Sequence, residues 1–336
     1  MAENSIISVA VHDLRKGPDD FQVVLGKSDL GVTAPVQRVV DQLHTLYGRR
    51  TAKSHGKFDE DEDNYPTQRH LRQYLEAEFK DFGALTEALM RTLAVNAQTK
   101  AAATGGHVFF AHFQRDGKHY LMVAIVGDAL SAALTKQHDV TDVTHLDING
   151  FRFAGRINIS GWTSEEDRYI GFLKGKGNVA EYFRAFLGCT DHVQEKTDTR
   201  MLVAALKSFA DQQGFDHKAK TTFLAKAKEI CDRAARTRVE ISFDTLTNEL
   251  APEDPDTLRD HLADPHLRLN DLFIPNRAIL NTLVRFKGHT DNWTLEFDRR
   301  AIEEGDVTFD NEKQTLTLKN LPEELTVRLN SEYGDG

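Results

Sequence analysis

The chain has 336 residues, 40% hydrophobic and 28% charged, a balance that permits a sizeable core and excludes global disorder. Forty-two lysines and arginines against 52 acids leave a net charge of −10. That excludes a small, uniformly basic nucleic-acid binder, but not an acidic protein with one basic face, because salt screens charges beyond about 8 Å.

The opening Met1-Ala2-Glu3-Asn4-Ser5 has no basic stretch leading into an apolar one, and no apolar run approaches the roughly 20 residues of a membrane span. A cytoplasmic protein with no membrane partner is expected. Residues 5–12 and 21–25 carry β-branched residues around Lys16-Gly17-Pro18-Asp19-Asp20 and predict a hairpin. Residues 35–48 place Val36, Val39, Val40, Leu43, Leu46 and Tyr47 on one helical face. Residues 49–66 read as a polar loop, with the acids Asp59 to Asp63 as a solvated run. Leu71, Leu75, Phe79, Phe82, Leu85, Leu89 and Leu93 then predict one or two helices over 68–99, with a break at Gly83.

Two β-rich runs, 107–113 and 119–126, flank Asp116-Gly117 and predict a buried hairpin. Residues 143–160 read as two more strands of the same sheet. From 178 the period becomes helical, at 178–187, 197–213, 217–236, 243–250, 255–263 and 276–286. Short strands return at 293–297, 307–309 and 315–318. Strands, then helices, then strands define an α+β protein, with an N-terminal sheet-bearing domain over 1–190 and a helical segment with a C-terminal β-hairpin region over 191–336.

The chain has no phosphate-binding Gly-rich loop, no dinucleotide fingerprint, no nucleophile elbow and no His-Glu-x-x-His. Cys189 and Cys231 are too few for a disulfide framework or a four-cysteine zinc site and read as buried thiols in reducing conditions. His112, His119, His145 and Asp147 could gather a metal for nuclease chemistry, but ordinary sheet residues are the simpler reading. No cofactor is expected.

Three basic clusters could meet phosphate. The first holds Arg168, Lys174 and Lys176 among aromatics and glycines, with Arg152 and Arg156 nearby. The second, over 215–239, has seven cations, including Lys218, Lys220 and Lys226, against three acids. An acidic stretch at 243–264 could pair with it. The third is Arg285, Lys287 and His289. Each could equally be a solvated surface.

One central run is more specific. It comprises Thr144-His145-Leu146-Asp147-Ile148-Asn149, Ala154-Gly155-Arg156-Ile157-Asn158-Ile159-Ser160-Gly161-Trp162, Arg168-Tyr169-Ile170-Gly171-Phe172-Leu173-Lys174-Gly175-Lys176 and Phe186-Leu187-Gly188. With Val11-His12-Asp13-Leu14 upstream and Leu272-Phe273-Ile274-Pro275-Asn276-Arg277 downstream, it resembles the bacterial nucleoid-associated 37-kDa protein family over nearly the whole chain. The resemblance implies a nucleoid role and DNA binding without a catalytic step. It carries no catalytic residue set, and the Asp59–Asp63 run and the Lys176-Gly177-Asn178 turn depart from it. Double-stranded DNA is the expected partner, with single-stranded DNA or RNA as alternatives. A protein partner gripped through the acidic segments is the competing reading, and homodimerisation would raise avidity.

Overall fold

The computed structural model describes residues 4–18, 20–27, 29–99, 103–151, 153–174, 181–191 and 194–334. The chain forms two compact units. The first takes Met1–Gln194, Ser242–Asp244 and Arg259–Leu272; the second takes Glu195–Ile241, Thr245–Leu258 and Phe273–Gly336. The division near 190 read from the sequence therefore omits a return: residues 259–272 belong with the N-terminal part.

In the first unit the elements run β1 (Ser5–Lys16), β2 (Phe21–Val24), α1 (Ala34–Arg49), β3 (Lys53–Phe58), α2 (Thr67–Glu76), α3 (Phe82–Gln98), β4 (Gly106–Arg115), β5 (Lys118–Val126), β6 (Asp128–Leu134), β7 (Val140–Leu146), β8 (Phe153–Asn158), α4 (Ile159–Thr163), β9 (Ile170–Leu173), α5 (Glu181–Leu187) and β10 (Cys189–Asp191). Eight strands make one antiparallel sheet in the order β10-β3-β9-β8-β5-β4-β1-β2. Its central hairpin turns on Asp116 (φ 50°) and Gly117 (φ 74°), the two left-handed residues that a tight two-residue loop requires. β5 is apolar without alternation because both its faces are covered. Leu121, Val123 and Ile125 join the core built with α2, α3 and α5. Tyr120, Met122 and Ala124 join the core built with Val40, Leu43 and Tyr47 of α1.

Three local readings are corrected. The presumed loop 49–66 contains strand β3, whose Lys53, Ser54 and His55 are buried. The helical break lies before Gly83, where Glu78, Phe79 and Asp81 take φ of 54°, 61° and 63°. Asp81 then caps α3 by accepting from the Ala84 amide at 3.0 Å, leaving Gly83 inside the helix. Finally, β7 pairs with β6 in a separate two-stranded sheet, and only the second strand expected over 143–160, β8, joins the main sheet.

The second unit contains α6 (Glu195–Gln212) and α7 (His217–Thr237), packed through Leu202, Leu206, Phe209, Phe223, Leu224 and Cys231. The Phe209 and Phe223 rings stack at 5.7 Å. Helices α8 (Phe243–Leu250) and α9 (Pro255–Leu262) follow. The chain continues with α10 (Arg277–Leu280), β11 (Arg285–His289), β12 (Thr294–Asp298), α11 (Arg300–Glu303), β13 (Val307–Asp310), β14 (Thr315–Leu318) and α12 (Glu323–Tyr333). The helix expected over 276–286 stops at Leu283, because Phe286 pairs in register with Phe297, ring to ring at 5.4 Å. α12 has no counterpart in the sequence reading, and it buries none of its residues. Helices packed on a large antiparallel sheet, with a separate helical unit, make an α+β protein. Among the described residues no helix is long and apolar enough to cross a membrane.

Candidate nucleic-acid interface

The described cations of the central cluster, Arg156, Arg168 and Lys174, are engaged within the protein. Arg152 and Lys176 lie outside the described residues. Arg168 is 7% exposed and donates to the Arg268 carbonyl at 3.3 Å. The Lys174 ammonium lies 3.3 and 3.5 Å from the carbonyl oxygens of Asp271 and Leu272. Arg156 is half-buried, with Nη1 3.2 Å from Nε2 of His44 and its guanidinium 4.7 Å above the Tyr120 ring. Cations in such positions hold chain segments together, and a rigid duplex cannot lie along them.

Instead, Arg156 and Arg168 line a cavity of about 140 Å³ within the first unit. Its floor is set by strand register. His55 in β3 pairs with Gly171 in β9, which pairs with Arg156 in β8, so the three share one row and one sheet face. Gly171 leaves the gap between the two side chains. A methyl there would sit 2.6 Å from the Tyr47 hydroxyl and 3.0 Å from the His55 ring. The Tyr47 hydroxyl is fully buried and has no hydrogen-bond partner among the described residues. Lys118, Arg268 and His266 form the more exposed rim, where Glu166 holds Lys118 at 3.2 Å and also pairs with Arg268.

Burial dominates the electrostatics of this pocket. It pushes the Tyr47 phenol up to about 12, against the opposing pull of Arg156. Burial, then Lys53, Arg156 and Arg168, hold His55 well below its ordinary value. Lys53 is pushed down to about 7 by burial and by Arg156, while its ammonium donates to the carbonyls of Tyr47, Gly48 and Ala263 at 3.2, 2.7 and 2.5 Å. Tyr47, Lys53, His55, Lys118 and Arg268 were not singled out from the sequence. For Lys53 and His55 the one advance signal is the polar segment 53–57, with cations and a histidine in alternating positions; Tyr47, Lys118 and Arg268 carry none.

The second cluster does reach solvent. Helix α7 starts at an Asp216 cap, which accepts from the Ala219 amide at 2.7 Å, and ends at Arg238 with φ 55°. Lys218, Lys226, Arg233 and Arg236 are exposed along it. At 3.6 residues per turn these four fall within an arc of about 80° and span about 27 Å. Lys218, Lys226 and Arg236 make no ion pair among the described residues, whereas Arg233 pairs with Glu249 of the acidic stretch. Lys220 is half-buried and tied to Asp211, and Lys228 is tied to Asp232. Beside the helix lies a groove of about 640 Å³, whose lining includes Arg233, Arg236, Arg285 and Arg300 with Glu229, Asp232 and Asp298.

The third cluster is balanced by its own hairpin. Arg285 faces Asp298 and bonds Glu296 at 2.9 Å, and Lys287 stands opposite Glu296 in register, exposed. Three of the four candidate metal ligands are otherwise engaged, and the fourth, His145, is exposed on β7. Both ring nitrogens of His112 are taken, by the Tyr74 hydroxyl at 2.9 Å and by His119 at 3.0 Å. Asp147 accepts from the Gly150 amide at 2.9 Å. Among the described residues no three His, Cys, Asp or Glu side chains gather around a metal-sized space. The acidic run is partly compensated, since Glu62 is held by Arg72 and Asp63 by Arg69.

The molecule is thus an α+β protein that carries a cation-lined helix on an acidic background. The chain belongs to the family described as "Nucleoid-associated protein YejK", which it matches over residues 10–326. A nucleoid-associated protein of Pseudomonas fluorescens Pf0-1 is 30% identical over 328 residues, covering 95% of this chain and 97% of the relative. One from Pseudomonas putida W619 is 29% identical over 326 residues, covering 95% and 96%. One from Metapseudomonas resinovorans is 28% identical over 327 residues, covering 96% and 98%.

Proposed function

We propose that this nucleoid-associated protein binds DNA non-catalytically, through phosphates, with the exposed face of α7 as its contact. One observation carries the reading: in a chain of net charge −10, Lys218, Lys226 and Arg236 stand exposed on one helix face, with no carboxylate partner among the described residues. Long cationic side chains without geometric constraint bind phosphate as point charges and carry no base readout, so the binding is largely independent of sequence. Glu229 within the same face, and the acids elsewhere, keep the contact weak and salt-sensitive. Double-stranded DNA, whose phosphates are densest along the axis, is the favoured partner.

The test is a gel-shift series in salt. Each phosphate neutralised contributes about 0.9 to the slope of log K against log salt on duplex DNA. The triple variant Lys218→Ala, Lys226→Ala, Arg236→Ala is expected to bind every sequence more weakly and to lower the slope by two to three on that scale. An unchanged slope would remove α7 from the interface.

A further inference from the structure

We infer that the Tyr47–Gly171–Arg156 cavity of the first unit is a receptor for a phosphate group, either free inorganic phosphate or the terminal phosphate of a nucleic-acid strand.

The cavity is cationic. Arg156, Arg168, Lys118 and Arg268 line it with His55 and His266, and none of its lining residues is acidic. Glu166 lies outside the lining and answers two of those charges. The floor also offers an idle donor, since the Tyr47 hydroxyl is completely buried and has no hydrogen-bond partner among the described residues. A buried hydroxyl without a partner is costly, and protein interiors rarely leave one so. An oxyanion in the cavity, on the side of the hydroxyl away from Gly171, would accept from it. The phenol is suited to donate, because burial and its raised pKa keep it protonated.

Shape supports the same occupant. The volume of about 140 Å³ exceeds the 10–15 Å³ that one water needs, and falls below the roughly 300 Å³ at which pockets begin to take whole drug-sized ligands. It admits a phosphate with residual water and excludes an entire nucleotide. Gly171 lets the Tyr47 hydroxyl and the His55 ring close against the strand, and a side chain there would collide with both and push Tyr47 into the cavity. Two of the lining arginines, Arg168 and Arg268, hold φ of 56° and 49°, a conformation that non-glycine residues seldom adopt and that clusters at ligand sites. The guanidinium fork suits oxygen anions in two-point contact.

The experiment uses the full chain and three probes: inorganic phosphate, a 5′-phosphorylated oligonucleotide and its 5′-hydroxyl counterpart. Calorimetry with the wild type is compared with Tyr47→Phe and Gly171→Ala, and with the α7 triple variant as a control in the other unit. Inorganic phosphate is expected to bind, with affinity about tenfold lower in Tyr47→Phe, the loss of one hydrogen bond to a charged group. Gly171→Ala should abolish it. Tyr47→Phe removes an unpaired hydroxyl, so its melting temperature without phosphate should not fall, which separates lost binding from lost folding. Binding of free phosphate alone assigns the cavity to a small anion; an added preference for the 5′-phosphorylated strand, kept in the α7 variant, assigns it to strand ends. No phosphate binding at millimolar concentration, or equal binding by wild type and both cavity variants, overturns the inference.

Discussion

At the residue scale, the first unit has several ionisable groups held in their neutral form. Burial takes His44 down to about 3, with Arg156 and Arg115 adding to it, and takes His112 down to about 4, with His119 adding. Both are ordinary histidines in the unfolded chain, so the unfolded state binds more protons below pH 6.5. Their contribution is complete above that value and is lost as pH falls toward the folded pKa. For His112 the span corresponds to about 3 kcal/mol. The urea midpoint should therefore drop steadily from pH 7 to pH 4, and His112→Gln should flatten the drop; a wild-type midpoint unchanged to pH 4 would contradict this. Asp271 works in the opposite sense. Burial raises its carboxyl to about 6, so its contribution is present below pH 4 and lost as pH rises through 6. Asp271→Asn keeps an oxygen for the Phe243 and Leu272 amides and should steepen the acid loss. Residue-level legibility was poorest for charge. Arg156 and Lys218 are alike in sequence, yet one lies against Tyr120 and the other in solvent. A local count of cations cannot separate them, because burial is decided by strands far along the chain.

At the element scale, legibility followed hydrophobic period. α1 and α3 were readable because their apolar residues recur at helical spacing, and β4 and β5 because two continuous apolar runs flank an Asp-Gly turn. β3 was not, since Lys53-Ser54-His55-Gly56-Lys57 carries no apolar alternation, and its burial rests on partners such as Asn270, which accepts from the His55 amide at 2.7 Å. β6 was missed for a related reason: it and β7 form an isolated ribbon with Leu130, Leu134, Val140 and Val143 exposed, so neither face is marked. Gly56 offers an element-level test. A Cβ there would sit 2.1 Å from the Thr190 carbonyl oxygen and 2.7 Å from the Cys189 sulfur. Gly56→Ala should therefore dislodge edge strand β10 while sparing the central strands. Hydrogen exchange should show lost protection at Cys189 and Thr190, with Phe110 and Val123 unchanged; retained protection at the edge would show that the strand can shift to make room.

At the scale of the molecule, the family and the α+β class were legible from motif order, whereas the division of the chain was not. Period and composition change near 190, but nothing in 259–272 advertises that this stretch completes the sheet-bearing unit. It does so through Ala263 on Lys53, Asn270 on His55 and Arg268 on Glu166. A fragment ending at residue 194 should accordingly lose its cooperative melt, or melt at least 10 °C lower, given that one buried ammonium and one buried amide lose their partners and each is worth about 1–3 kcal/mol. Melting of that fragment at the full-chain temperature would show the return segment to be dispensable.

That late return also sets a timetable for synthesis. Gln194 and Leu272 are separated by 78 residues, so a ribosome adding 5–20 residues per second holds the nascent sheet unfinished for on the order of ten seconds. Through that interval β3 has been translated with two of the carbonyls that receive Lys53, those of Tyr47 and Gly48, but the third, of Ala263, and the Asn270 side chain that meets His55 have not. The contacts that close the N-terminal sheet are therefore expected to form only after the helices that interrupt it have emerged.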